Sequence, residues 1–238
     1  MPLMKRALLH PGMDMLRKFL RYSGPVLINE TLWGLGFSMI TVIMGHMAAS
    51  SDLIAAYTLA GNIDKLMTSG IFGIAAAVAV IVGKEIGAGN LDSVYNVGRA
   101  LCFTAAAFGL VIGALEYAMF LTLMRPYVMP LFSLSSAAER LCSVMIACYA
   151  CAMPLHSFST TMVVGVLRGG GDVRASLVID NVPLWCAALP IMYLLGIVLK
   201  VPNETFCLCL MLESAAKTPA GILRVHSGKW VHDITRIE

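Results

Sequence analysis

Charge is scarce in this sequence. Asp, Glu, Lys and Arg make up 13% of its 238 residues, against roughly 25% in an ordinary soluble domain. Apolar residues make up 58%, and mean hydropathy is +0.80. A soluble fold of this size needs polar groups over the large area it shows to water, and too few are present. The shortage excludes a disordered chain and a soluble enzyme with a normal charged surface. It leaves most of the outer surface facing lipid. Other features are missing too. No stretch alternates polar and apolar residues over the ~10 positions of a barrel strand. No Ser/His/Asp set, metal-ligand spacing or Gly-Lys-Ser/Thr phosphate loop occurs. No enzyme, prosthetic group or nucleic-acid partner is implied, and a net charge of +3 is weak. The seven cysteines are odd in number and fall in or beside apolar runs, which argues against a disulfide framework. Cys148 and Cys151 form a C-x-x-C that lacks the second pair of a metal site.

What is present is long apolar runs. A bilayer span takes ~20 residues, so the chain has room for about six or seven helices with short loops. Six segments are predicted, over about 25–47, 53–82, 100–124, 141–167, 177–199 and 203–223. Pro154, Pro183 and Pro190 lie inside spans, which membrane helices tolerate when neighbours satisfy the freed carbonyls. The sixth is the weakest, interrupted by Glu213, Lys217 and Pro219. Before the first, Lys5, Arg6, Arg17, Lys18 and Arg21 fall between Leu9, Met13, Leu16 and Leu20 at helical spacing. That is the pattern of a basic amphipathic helix resting on the membrane surface. It lacks the short apolar core and cleavage site of a signal peptide. With six spans, 13 Lys and Arg fall on one side, Lys217 among them, and 3 on the other. The excess puts both termini in the cytoplasm and supports the doubtful sixth span. The domains expected are an interfacial segment over 1–24, a six-helix bundle over 25–225 and a cytoplasmic tail over 226–238.

A charge at membrane depth costs roughly 2.5–3.5 kcal/mol on insertion scales, so each one needs a reason. Glu30, Gly34, Phe37, Ser38 and Thr41 form one stripe at helical spacing, with Asn29 beside it. This stripe is expected to face the bundle interior. Glu30 is then either a functional carboxylate or an interfacial one reaching back to water. On the second span Tyr57, Gly61, Asp64 and Thr68 share a face. Asp64 and Lys65 point about 100° apart and make poor partners for each other. Glu116 follows Gly109 and Gly113, a face suited to close helix packing, and is expected to snorkel to the outer end. His156 stands on a stripe with Tyr149, Ala152, Ser159 and Val163. It is either a satisfied interhelical donor or a titrating group. Asp180 with Asn181, and Glu213, are expected to be shallow, capping or contacting substrate. The glycine clusters at 87–89 and 169–171 read as helix ends closed by left-handed glycines.

Four stretches resemble one known family. SGPVLINETLWGLGFSMITVIMGHM (23–47), FGIAAAVAVIVGKEIGAGN (72–90), GVLRGGGD (165–172) and KWVHDITR (229–236) resemble, in order and spacing, the carboxy-terminal half of multidrug and toxic compound extrusion (MATE) transporters, helices seven to twelve. The resemblance covers nearly the whole chain. It implies an all-α membrane protein, a six-helix bundle forming one lobe of a two-lobe fold. It implies export of organic, often cationic compounds from a bacterial cell across its plasma membrane, driven by inward Na⁺ or H⁺. Glu30 falls where many members bind the coupling ion or proton. Many members pair that Glu with an Asp on the tenth helix, where this chain has Ser157 beside His156. The first six helices have no counterpart, and alternating access normally rocks one repeat against the other. The resemblance therefore implies a partner, either a missing amino-terminal lobe or a second copy, besides the lipid bilayer and a small organic substrate. Asn29, Tyr57, Asp64, His156 and Asp180 are the further candidates for lining a cavity. The alternatives are a non-transporting or degenerate half-length membrane protein, a partner subunit, or a polytopic enzyme, which the cytoplasmic loops do not equip.

Overall fold

A computed structural model describes residues 13–231. Residues 1–12 and 232–238, which carry most of the expected interfacial segment and tail, lie outside the described residues. Among the described residues six helices are long and apolar enough to cross a membrane, so the chain is a multi-pass membrane protein. They are α1 (Met13–Gly45), α2 (Ser50–Gly87), α3 (Ser93–Phe132), α4 (Ser136–Leu167), α5 (Val173–Val198) and α6 (Asn203–His226). Short connections make the helices alternate up and down. α1 runs through Pro25 without a break.

Proline shapes the helices. It lacks the N–H that would bond the carbonyl four residues earlier, and the chain adjusts by π-helical turns, which are rare elsewhere. Leu184–Ala188 is one such segment, directly after Pro183. Phe120–Val128, containing Pro126, is another. In α4 the carbonyl freed by Pro154 belongs to Ala150, and α3 covers it. A Cβ on Gly113 would collide with the Ala150 oxygen, and one on Gly109 would lie 2.7 Å from the Met153 oxygen and 2.9 Å from Pro154 Cα. The two glycines thus bring the backbones of α3 and α4 into contact, the approach that small residues permit in membranes.

The interior has three layers. One apolar core includes Met44, Leu53, Phe120, Met145, Leu184 and Phe206, at the end of the α1–α2 turn. Another includes Val82, Val94, Val166, Leu167 and Trp230, at the end of the α2–α3 turn. Between them lie buried polar side chains: Asn29, Glu116, Ser157, Asp180, Glu213, Ser214 and Lys217. At the second end Gly89 and Gly171 have φ of 80° and 88°, the left-handed closures expected. The segment after α6 does not hang free. Trp230 is fully buried and lies against Gly170, where a Cβ would strike its ring. Val231 bridges Gly171, and Arg224 pairs with Asp172 at 2.7 Å. The GVLRGGGD stretch and residues 229–231 are thus parts of one contact.

Candidate functional site

The polar layer opens at a cleft of ≈ 20 Å³ lined by Glu30, Trp33, Phe72, His156, Thr160, Arg168, Asp180 and Lys217, room for about one water molecule. Each charged group here has a partner. Arg168 Nη1 is 2.9 Å from Glu30 Oε1, and its Nη2 is 3.5 Å from Asp180 Oδ2. Its Nε donates to Ser176 Oγ at 3.1 Å. Lys217 Nζ lies 2.8 Å from Glu213 Oε1 and 3.4 Å from Asp180 Oδ1. Asn29 donates to Asp180 Oδ2 at 3.1 Å and to Glu30 Oε1 at 3.3 Å, while accepting from Asn181 at 2.7 Å. Trp33 Nε1 donates to Glu213 Oε1 at 3.4 Å. His156 contacts Ser214 Oγ at 3.3 Å through Nδ1 and Thr160 Oγ1 at 3.4 Å through Nε2. Helices α1, α4, α5 and α6 thus share one network of three carboxylates and two cations.

Several expectations need correction. The Glu30 stripe does not face the interior of the bundle. Gly34 and Ser38 are exposed, and the Glu30 side chain is 54% exposed. The packed face of α1 is the one carrying Asn29, Gly36, Ile40 and Met44, because those apolar and small positions bury more favourably against α5 and α2. Glu30 instead stands at the cleft mouth, steered by Arg168. Glu116 does not snorkel. It is 0% exposed, because α3 continues as a helix to Phe132, roughly four turns beyond it, and the glycine face holds it against α4. Asp180 and Glu213 are buried, not shallow caps. Lys217 is not a cytoplasmic charge but a 3% exposed side chain inside α6. Its pairing with Glu213 at i, i+4 neutralises both, so hydropathy alone underrates the sixth span.

Of the candidates, Glu30, Asn29, His156 and Asp180 come together. Tyr57 and Asp64 do not line the cleft. Ser157 is buried, and its Oγ donates to the Ala105 carbonyl on α3 at 2.6 Å. The position therefore serves helix packing, and its neighbour His156 reaches the cleft. Arg168 and Lys217 were missed as site residues, being read only as topology charges. The signal available was their company: two bases within reach of helices holding otherwise unmatched carboxylates.

Comparison with known proteins agrees with this architecture. The profile of the MatE family matches residues 25–194. A probable multidrug resistance protein NorM of Thermotoga maritima is 21% identical over 227 residues, which cover 95% of this chain and 47% of that protein. The multidrug resistance protein PmpM of Pseudomonas aeruginosa is 28% identical over 165 residues, covering 68% and 32%. Among solved structures, the MATE transporter ClbM in complex with Rb⁺ superposes with a TM-score of 0.75 at 20% identity, covering 94% of this chain and 51% of that one. The chain spans about a third to a half of the length of the curated relatives it matches. With more than half its residues inside the family profile, and a fold that repeats half of a solved member, the chain belongs to the MatE family of membrane transporters, which are not enzymes.

Proposed function

We propose that this chain is the carboxy-terminal lobe of an exporter of organic, cationic compounds driven by inward Na⁺ or H⁺, with Glu30 as the coupling carboxylate. One observation carries the reading: Glu30 holds Arg168 at 2.9 Å while half its side chain stays open. A guanidinium in such a pair is an exchangeable counter-ion. When a proton or metal cation reaches Glu30, Arg168 is released and turns fully to Asp180, which it already approaches at 3.5 Å. When the cation leaves, Arg168 returns. A cationic substrate at the same mouth competes for the same carboxylate, which is the exclusivity that antiport needs. A second groove between α1 and α5, lined by Met39, Trp185, Leu189 and Tyr193, offers apolar and aromatic surface to the body of an amphipathic compound. Both termini lie in the cytoplasm of a bacterial plasma membrane, following the basic residues. The open polar stripe on α1 faces a matching amino-terminal lobe or a second copy.

The test is dye efflux from proteoliposomes under an ion gradient. The chain alone is expected to be inactive, and co-reconstitution with an amino-terminal lobe to restore export. In the assembled protein Glu30→Gln abolishes export with insertion intact, and Glu30→Asp keeps part of it. Wild-type export by Glu30→Gln would remove Glu30 from coupling. Export by the chain alone, with no cross-linkable second copy, would remove the need for another lobe. The rival reading is a non-transporting half-length membrane protein. Failure of every two-lobe combination, each shown assembled, would decide for that rival.

A further inference from the structure

The chain after α6 folds back onto the α4–α5 turn, next to Arg168. Gly228 makes the reversal. Its φ of 66° is the left-handed close of a helix, and the N–H groups of Ser227 and Gly228 donate to the Leu223 and Val225 carbonyls at 3.1 and 3.2 Å. The return carries the Trp230 ring under the turn, where it is 0% exposed. Burial of an indole leaves one donor to satisfy, and Nε1 donates to the Val225 carbonyl at 3.0 Å. Gly170 leaves room for the ring. A Cβ there would also lie 2.9 Å from the Trp230 carbonyl oxygen. On the other side, a Cβ on Gly98 of α3 would lie 3.7 Å from the ring. Trp230 is wedged between α3 and the end of α4.

An ion pair closes the same contact. Nε and Nη2 of Arg224 both lie 2.7 Å from Asp172 Oδ2, and Nη2 donates to the Lys229 carbonyl at 3.3 Å. The Asp172 side chain is 7% exposed and caps α5 by accepting from the Ala175 N–H at 3.4 Å. Its backbone carbonyl accepts from the Ser176 N–H at 3.1 Å. Ser176 is the residue whose hydroxyl holds Arg168 Nε, and further along α5 Asp180 meets both Arg168 and Lys217. Two charge contacts therefore pin α5 to α6, Asp180–Lys217 inside the bundle and Asp172–Arg224 at the turn. They stand about 10–12 Å apart along each helix and fix one register. Pro219 lies between Lys217 and Arg224 and removes a backbone bond from that stretch, so the end of α6 needs an anchor of its own.

We propose that Trp230, Arg224 and Asp172 are positioning residues for the cleft: they clasp the α4–α5 turn and so hold the Arg168 guanidinium on Glu30. The turn moves as one body, because the Gly170 N–H donates to the Val166 carbonyl at 2.8 Å and the Asp172 N–H to the Leu167 carbonyl at 2.9 Å. Trp230 supports that body from below, and Arg224 ties it to α6 through Asp172. Arg168 leaves the chain inside it and must meet Glu30, Ser176 and Asp180 at once. With the clasp open, the turn and the start of α5 can shift, and that three-way geometry is lost. Three side chains that do not touch Glu30 thereby set how firmly its counter-ion is held. The proposal rests on the reading of Glu30 and Arg168 given above, but it concerns a contact that exists whether or not Glu30 couples export.

The experiment reads the contact and not export, so a failed coupling role at Glu30 is distinguishable from a failure here. The full chain is placed in lipid bilayers with nitrogen-15 in its Arg and Lys side chains and carbon-13 in its Glu carboxyls. Solid-state NMR dipolar recoupling then shows which cation lies beside which carboxylate. The Arg168–Glu30 signal is assigned by its loss in Glu30→Gln. Arg224→Gln and Trp230→Ala should each lose it. Arg224→Lys, which keeps a cation for Asp172, and Trp230→Phe, which keeps a ring in the wedge, should retain it. Arg140→Gln breaks the exposed Arg140–Glu204 pair at the other end of α4 and should leave it unchanged. The Lys217–Glu213 signal belongs to one helix and should persist throughout, showing that α6 is folded. Survival of the Arg168–Glu30 signal in both Arg224→Gln and Trp230→Ala would overturn the proposal, as would its loss in Arg224→Lys. Loss of the Lys217–Glu213 signal in both disrupting variants would also overturn it, because the clasp would then hold the whole fold and not Arg168.

Discussion

Lys217→Met removes the one cation among the described residues that touches both Glu213 and Asp180. The lysine is 3% exposed, so its carboxylate partners cannot turn to water for compensation. Asp180 retains Arg168 and Asn29. Glu213 retains only the Trp33 indole at 3.4 Å. Removing one member of a buried pair typically costs about 3–5 kcal/mol, because the other charge is stranded. The remaining partners of Asp180 put the expected loss near the lower figure. Adding Glu213→Gln removes the stranded charge, and replacing a buried pair by groups of similar volume is often neutral. The double variant should therefore be more stable than Lys217→Met alone. The two changes should couple by about 2 kcal/mol, within the range for residues of one network. Unfolding by SDS titration, followed by tryptophan fluorescence, measures each corner of the cycle. Trp33 reports locally because its N–H bonds the carboxylate in question. Lys217→Met as stable as the wild type, or a double variant weaker than the single, would refute the idea that this ammonium balances the polar layer.

Two further expectations follow from packing and topology. Gly109→Ala puts a methyl 2.6 Å from Ser157 Cβ and 2.7 Å from the Met153 carbonyl, and should cost about 1–3 kcal/mol as overpacking; Gly61→Ala, with nothing within 4 Å of its Cβ position, should cost nothing in the same SDS titration. For topology, in a background lacking the exposed Cys151 and Cys186, Ser51→Cys should react with an impermeant maleimide added to intact cells and Arg174→Cys should not; the reverse labelling pattern would invert the orientation. Both positions are exposed, unlike Gly170, which Trp230 covers.

Composition was enough for the membrane, and the placement of the apolar runs for the helix count. Thirteen per cent charge cannot cover a soluble fold, and six apolar runs at span length admit few other arrangements. The glycine closures at Gly89 and Gly171 and the close approach at Gly109 and Gly113 were legible for the same local reason. A helix end or a helix contact constrains residues within a few positions of each other. Which way a charge points was not legible. Glu30 and Glu116 occupy similar stripes of small residues, yet the first stands half open against Arg168 and the second is fully enclosed. The difference comes from what the neighbouring helices present: an arginine at the end of α4 in one case, the backbone of α4 in the other. Likewise Lys217 and Glu213 lower the hydropathy of α6 in sequence but neutralise one another in space. The Ser157 hydroxyl is spent on the Ala105 carbonyl, a choice set by helix rotation. Apolar periodicity is a property of one helix and can be read from one segment. Charge pairing is a property of several helices at once, and only their packing decides it.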